Sequence, residues 1–287
     1  MSILLGLLSA MLFGLGDFLS SLSGRRIGAA RTFFYGQISS LLLLTIWLGL
    51  HPADMTRFTQ ADSRTWVLVL VVSPTGLLGS YAFTRALAVG TLSLVVPVAT
   101  GYGAVAGLLA LLGGEQISTA TLVGLALTFL GVAGASVPET NSPGASTRGV
   151  GWALVAAVAV GVSFWAQGQF LVPVLGGFVT VWLIGVIGLV LLPALLLPAR
   201  VSLALPEKGT WAITFGSGVL TTAALTVLAL GFATGDIAIV AVLSTLCSVL
   251  TAVLGIAFLG ERLSSRQLLA GVSVVAGVVI INAARGS

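Results

Sequence analysis

Asp17 is the only acidic side chain lying well inside an apolar run of this sequence. A lone carboxyl near the middle of a bilayer costs on the order of 3 kcal/mol by insertion scales, so it must face a cavity or a partner. Arg85 falls at a similar depth in another apolar run. At ~1.5 Å per helical residue the two come level, and together they could bind substrate charges or a proton. The competing reading is local: Asp17 caps a helix or pairs with Arg25 or Arg26. Trp165, with Tyr81 and Tyr102, could form an aromatic cage over an apolar or cationic solute; otherwise Trp165 belongs to an interfacial belt and the tyrosines to ordinary packing. Gln167 carries an amide that must find hydrogen bonds, which turns it toward protein or water, or toward the outer end of its span. Hydroxyls gather late in the chain. Thr222 and Thr226 share one helical face, and Ser244 shares another with Ser248. Such faces either line a cavity or bond back to their own helix.

The elements that must position these groups are apolar. The chain has 287 residues, 57% hydrophobic and only 7% charged, against ~25% charged in soluble domains. Mean hydropathy is +1.16. So few charges cannot cover a soluble globule, which excludes a cytosolic enzyme, a secreted domain, a nucleic-acid binder and a disordered chain. The pI near 10 reflects four surplus cations, the usual mark of cytoplasmic loops in a membrane protein. One cysteine, Cys247, rules out an internal disulfide, and one histidine, His51, leaves nothing to build a zinc site with. No cofactor or metal is expected.

Ten stretches of about the length a bilayer requires can be counted: 2–21, 31–50, 66–89, 91–112, 117–137, 149–170, 176–197, 210–233, 236–258 and 265–284. Their continuous apolar character argues against a β-barrel. The first lacks a preceding Lys or Arg and is too long for a cleaved signal peptide. The polar stretch Pro138–Arg148, with Pro143 and Gly144, divides the chain into 1–138 and 149–287, joined by a linker at 139–148. With ten spans, Arg57, Arg64 and Arg285 share the side of the termini, and nine cations lie opposite. The excess places the termini outside the cytoplasm.

The halves repeat. Leu112-Gly113-Gly114-Glu115-Gln116-Ile117-Ser118 matches Phe258-Leu259-Gly260-Glu261-Arg262-Leu263-Ser264, each before the last span of its half. An odd span count per half inverts one half relative to the other, the architecture of secondary transporters with a midplane site. Glu115 and Glu261 are expected to cap the helices that follow them. Pro74 and Pro97, mid-span, are expected to bend their helices and suit hinge motion. Glycines such as Gly16, Gly103 and Gly107 permit close helix approach.

In Phe13-Gly14-Leu15-Gly16-Asp17-Phe18, in Arg85-Ala86-Leu87 and in the paired endings Gly114-Glu115 and Gly260-Glu261, the sequence resembles the drug/metabolite transporter superfamily, specifically its ten-helix EamA-type members. The resemblance implies an all-α membrane protein in a bacterial inner membrane: two inverted five-helix repeats around a central cavity. Spans 1, 3, 4, 6, 8 and 9 would form its wall, with 2 and 7 flanking and 5 and 10 peripheral. It also implies secondary transport, by alternating access, of amino acids or related metabolites, often outward. The expected partners are a small-molecule substrate, the lipid bilayer and a proton as coupling ion, with no nucleic acid; the protein could be monomer or homodimer. Two alternatives stand beside this: a channel or lipid scramblase, which would want charge rings or a filter loop that do not show, and an exporter of cationic drug-like compounds. An intramembrane enzyme finds no motif in this sequence.

Overall fold

The computed structural model describes residues 1–59, 61–115, 118–135, 149–196 and 207–259, with isolated positions between 269 and 280. The described residues are helical throughout, with no strand. The helices are α1 (Ser2–Ile27), α2 (Ala29–Leu50), α3 (Ser63–Val89), a broken α4 made of α4a (Leu92–Ala99) and α4b (Tyr102–Leu112), α5 (Thr119–Ala135), α6 (Val150–Leu175), α7 (Gly177–Leu196), α8 (Lys208–Phe232), and a broken α9 made of α9a (Ile237–Ser244) and α9b (Cys247–Leu259). Six of these have the length and composition of membrane spans: α1, α2, α3, α6, α8 and α9 with its two parts taken together (Ile237–Leu259). The linker 139–148, Glu261 and most of the stretch 265–284 lie outside the described residues.

Polarity is arranged inside-out. On α1, Leu4, Leu8, Met11 and Leu15 are exposed at helical spacing, while Ser9, Asp17, Ser21 and Ser23 are buried. A soluble domain would reverse this; here lipid covers the outer stripe. The buried hydroxyls are satisfied largely within the protein. Ser23 Oγ bonds Thr32 Oγ1 at 2.9 Å and Thr214 Oγ1 at 2.6 Å, joining α1, α2 and α8.

Local sequence sets the element ends. α1 runs past the expected end at residue 21 and ends at Gly28, whose φ of 85° turns the chain into α2. α3 starts three residues earlier than expected, because Asp62 accepts the Thr65 N–H at 2.9 Å as an N-cap. Bonds from Thr65 hold the exposed Asp62 carboxyl below the usual carboxylate range. α6 is longer than expected: Pro173 cannot donate to the ladder, and the preceding turn widens into a π turn over Gln167–Leu171, with the Val172 N–H reaching Gln167 O. Pro74 sits inside an unbroken α3. α4 breaks at Thr100–Gly101, just after the turn that holds Pro97. α9 breaks at Thr245–Leu246 without any proline. The hydroxyls of Ser244, Thr245 and Ser248 donate to the carbonyls three residues back, and amide bonds there run to the same i−3 positions.

Packing pairs the helices across the chain. α1 lies along α8, and α3 along α6. Both pairs approach at glycine: a Cβ on Gly16 would sit 2.9 Å from Thr221 Oγ1, and one on Gly79 would sit 2.8 Å from the Val160 backbone nitrogen. α2 leans on α8 and α7 on α3, while α4b packs on both α6 and α9a. The described residues form four apolar clusters, of which two are the largest. One joins Phe13, Tyr102, Phe164 and Leu228 with most of α9a. The other joins Phe18, Ala86, Leu87 and α4a with Ala153 and Ala156.

Candidate functional site

Between the two clusters lies a cavity of about 120 Å³, with walls drawn from α1, α2, α3, α4, α6, α8 and α9b. A smaller lobe of about 60 Å³ adjoins it and shares Phe33, Gln37, Ser40 and Ser80 with it. The larger space has room for several waters.

Each wall follows from helical spacing. Phe13, Asp17 and Ser20 on α1 share one face. On α2, Thr32, Gly36, Gln37 and Ser40 form a stripe of polar and small residues along the cavity. α3 presents Ser80, Phe83, Thr84 and Leu87, and α6 presents Ala156, Val160 and Phe164. Across from them α8 contributes Ser217, Thr221 and Thr222. Cys247, at the start of α9b, and Tyr102, at the start of α4b, close the space where the two broken helices meet.

Asp17 lines the cavity and is 4% exposed. Among the described residues its carboxyl has no hydrogen bond and no ion pair; Tyr102 and Cys247 line the same cavity. Tyr102 Oη bonds Ser244 Oγ at 3.1 Å, so the first residue of α4b is tied to the last residue of α9a. In the smaller lobe, Gln167 Nε2 donates to Ser163 Oγ at 3.0 Å.

Asp17, Tyr102 and Thr222 thus come together in the main cavity, with Gln167 next door. Thr222 Oγ1 donates to its own helix at Gly218 O. Five expected residues sit elsewhere, among them Ser244, which lies outside the wall with its Oγ on Tyr102 Oη. No bond joins Arg85 to Asp17. Ser80, Thr84 and Leu87 turn toward the cavity, which puts Arg85 on the far side of α3, exposed, with its guanidinium 5.9 Å from the ring centre of Trp152. Arg25 reaches Gly90 O instead of Asp17, and the local pairing with Arg26 is absent as well. The expected aromatic cage is not assembled either. Tyr81 packs edge-on against Phe33 and Trp152 outside the wall. Trp165 packs edge-on against Phe170 in the core, its Nε1 buried without a partner. The aromatic wall is built instead from Phe13, Phe33, Phe83, Tyr102 and Phe164. Ser248 donates to Thr245 O at the α9 break, behind the wall.

Glu115 does cap a helix, and the helix start it reaches is that of α9: both carboxylate oxygens accept the Ala238 N–H at 3.2 Å, from the other half of the chain. The wall residues of α2 and α3 were not anticipated. Thr32, Gly36, Gln37 and Ser40 recur at helical spacing through a run of Leu and Phe, and that stripe was the signal available for them.

The helical bundle thus holds a cavity in which Asp17, Gln37 and several hydroxyls lie among aromatic and aliphatic side chains. Residues 147–283 match the EamA-like transporter family. The second half of this chain is thus similar to an EamA-like transporter unit. That match implies a membrane transporter of the drug/metabolite type. None of the curated proteins is a significant sequence match. Among solved structures, one crystal structure aligns with a TM-score of 0.70 at 19% identity, covering 97% of this chain and 95% of its own. At that identity the likeness is one of fold.

Proposed function

We propose that this transporter moves small metabolites by alternating access, with the solute held in the cavity around Asp17. The single observation that carries the reading is the buried, unpartnered carboxyl facing a cavity within the helix bundle. A carboxylate there must be met by a proton or by a cationic group of the solute. Exchange between the two is a simple means of coupling transport to a proton gradient, and Tyr102 and Cys247 are the titratable groups that face Asp17 across the space.

The two halves are read as inverted repeats. α1 pairs with α8 as α6 pairs with α3, α2 leans on α8 as α7 leans on α3, and the fourth helix of each half is broken. Rocking of α1 and α3 with the breaks in α4 and α9 would open the cavity first to one face and then to the other. The cation distribution supports a multi-pass protein of a bacterial cell membrane with both termini outside the cytoplasm. Outward transport is the direction favoured by the family resemblance.

The reading is tested by flux in sealed vesicles across a panel of amino acids, amines and nucleosides, with and without a pH gradient. Protein-dependent uptake of at least one class, altered by the gradient in wild type and insensitive to it in Asp17→Asn, is the expected outcome. Flux no greater than in protein-free vesicles for every class would refute it. Reporters fused near residue 143 and at the carboxyl end must lie on opposite faces; the same face would overturn the inverted repeat.

A further inference from the structure

The walls hold a charge asymmetry. Among the described residues of both lobes, Asp17 is the only charged side chain. The cation nearest it in sequence expectation, Arg85, lies outside on Trp152. Arg25 is spent on the Gly90 carbonyl, across the end of α3. A site built for a carboxylate or a zwitterion would need a cation or a cluster of backbone N–H donors for the anionic end. This cavity offers hydroxyls, the Gln37 amide and one carboxyl.

The remaining wall is aromatic. Phe13, Phe83, Tyr102 and Phe164 converge with Asp17 on the larger lobe. Aromatic faces attract a partly desolvated cation, and a carboxylate beside them gives it a partner that water no longer supplies. At about 120 Å³, with the adjoining lobe of about 60 Å³ beside it, the space is comparable to the ~150 Å³ cavity known to accept a benzene ring.

From these observations we infer that the transported solute is a compact organic monocation, a primary amine on a body of about one ring, whose ammonium group rests on Asp17 and whose body lies against Phe13, Phe83 and Phe164. Zwitterionic amino acids and organic anions are excluded by the missing counter-charge. This class rests on the transporter reading for transport itself, while binding can be examined separately.

The test uses four solutes with one shared ring: tyramine (a cation), tyrosol (its neutral alcohol), tyrosine (a zwitterion) and para-hydroxyphenylacetate (an anion). Binding to the purified full-length protein is measured by calorimetry. The expected order is tyramine tightest, tyrosol weaker, and the zwitterion and the anion weakest. Asp17→Asn weakens tyramine by ~30-fold, the scale of a hydrogen bond to a charged group, and leaves tyrosol unchanged. The wild-type ranking needs no variant, so a misfolded Asp17→Asn does not spare the inference. Tyrosine or the anion binding as tightly as tyramine would overturn it, as would tyramine affinity indifferent to Asp17. Tyramine binding without vesicle flux of any solute would defeat the transporter reading and leave this assignment standing. Flux of tyrosine with tyramine excluded would do the reverse.

Discussion

Gly103 and Gly107 lie one turn apart on α4b, both buried, and both face α9a. Their surroundings differ enough to predict opposite results from the same substitution. A Cβ on Gly103 would clash with Thr245 Cγ2 and would sit 3.0 Å from the Ala241 carbonyl oxygen and 3.2 Å from Val242 Cα. Carbon atoms pack best at roughly 3.5–4.0 Å, so α4b would have to withdraw from the break in α9 by more than ~1 Å. Two of the three obstructing atoms are backbone, and the third is a methyl on a short side chain that is itself hydrogen-bonded to Val242 O. Overpacking of this kind costs ~1–3 kcal/mol. On Gly107 the same Cβ would meet Val242 Cγ2 at 3.6 Å and Ala238 Cβ at 3.9 Å, ordinary contact distances. There the added methyl fills space, and Ala replaces Gly in a helix interior with a gain of up to ~1 kcal/mol. Thermal unfolding in detergent reads both. Gly103→Ala should lower Tm by ~2–6 °C and Gly107→Ala should leave it unchanged or raise it. Vesicle flux should fall for the first variant only, since the displaced contact is where the two broken helices cross. Equal shifts, or a larger loss at Gly107, would refute the assignment of that crossing.

Tyr102→Phe removes the bond to Ser244 while Ser244 keeps its own bond to Ala241 O; a loss of ~0.5–1.5 kcal/mol is expected, measured as a small drop in Tm alongside a change in transport rate. Glu115→Gln should weaken the cap on α9 by ~0.5–1 kcal/mol, seen as a lower Tm whose difference from wild type shrinks in high salt. Arg85→Ala should leave tyramine affinity unchanged, because the guanidinium lies on Trp152 outside the cavity; weakened binding would restore the pairing with Asp17 that the structure does not show.

The membrane character of the chain was legible in the sequence because lipid imposes it residue by residue: each long apolar run answers to the same bilayer thickness. Asp17 was legible for a related reason, since a carboxyl in such a run has few places to go. Which way a helix faces was not. Arg85 and Thr84 are adjacent, and a turn of about 100° per residue decides which of them meets the cavity; span length says nothing about that angle. The hydroxyls at 244–248 were visible as a cluster, but their use to break α9 in place of a proline depends on bonds to the i−3 carbonyls. The π turn at Gln167–Leu171 likewise follows from Pro173 meeting a helix that packing does not allow to end. Glu115 was read as a cap from its local spacing, and its bond to Ala238 spans the two halves, a relation that only the packed fold supplies.

Cys247 is the sole cysteine, is 1% exposed, and lines the cavity beside Tyr102. Its modification by a small cationic thiol reagent in sealed vesicles therefore tests directly whether that cavity is the transport path. The thiol should react under native conditions, and a transported solute should slow the reaction in proportion to its occupancy of the site. A thiol that reacts only after denaturation, or at a rate that no transported solute alters, would contradict the account.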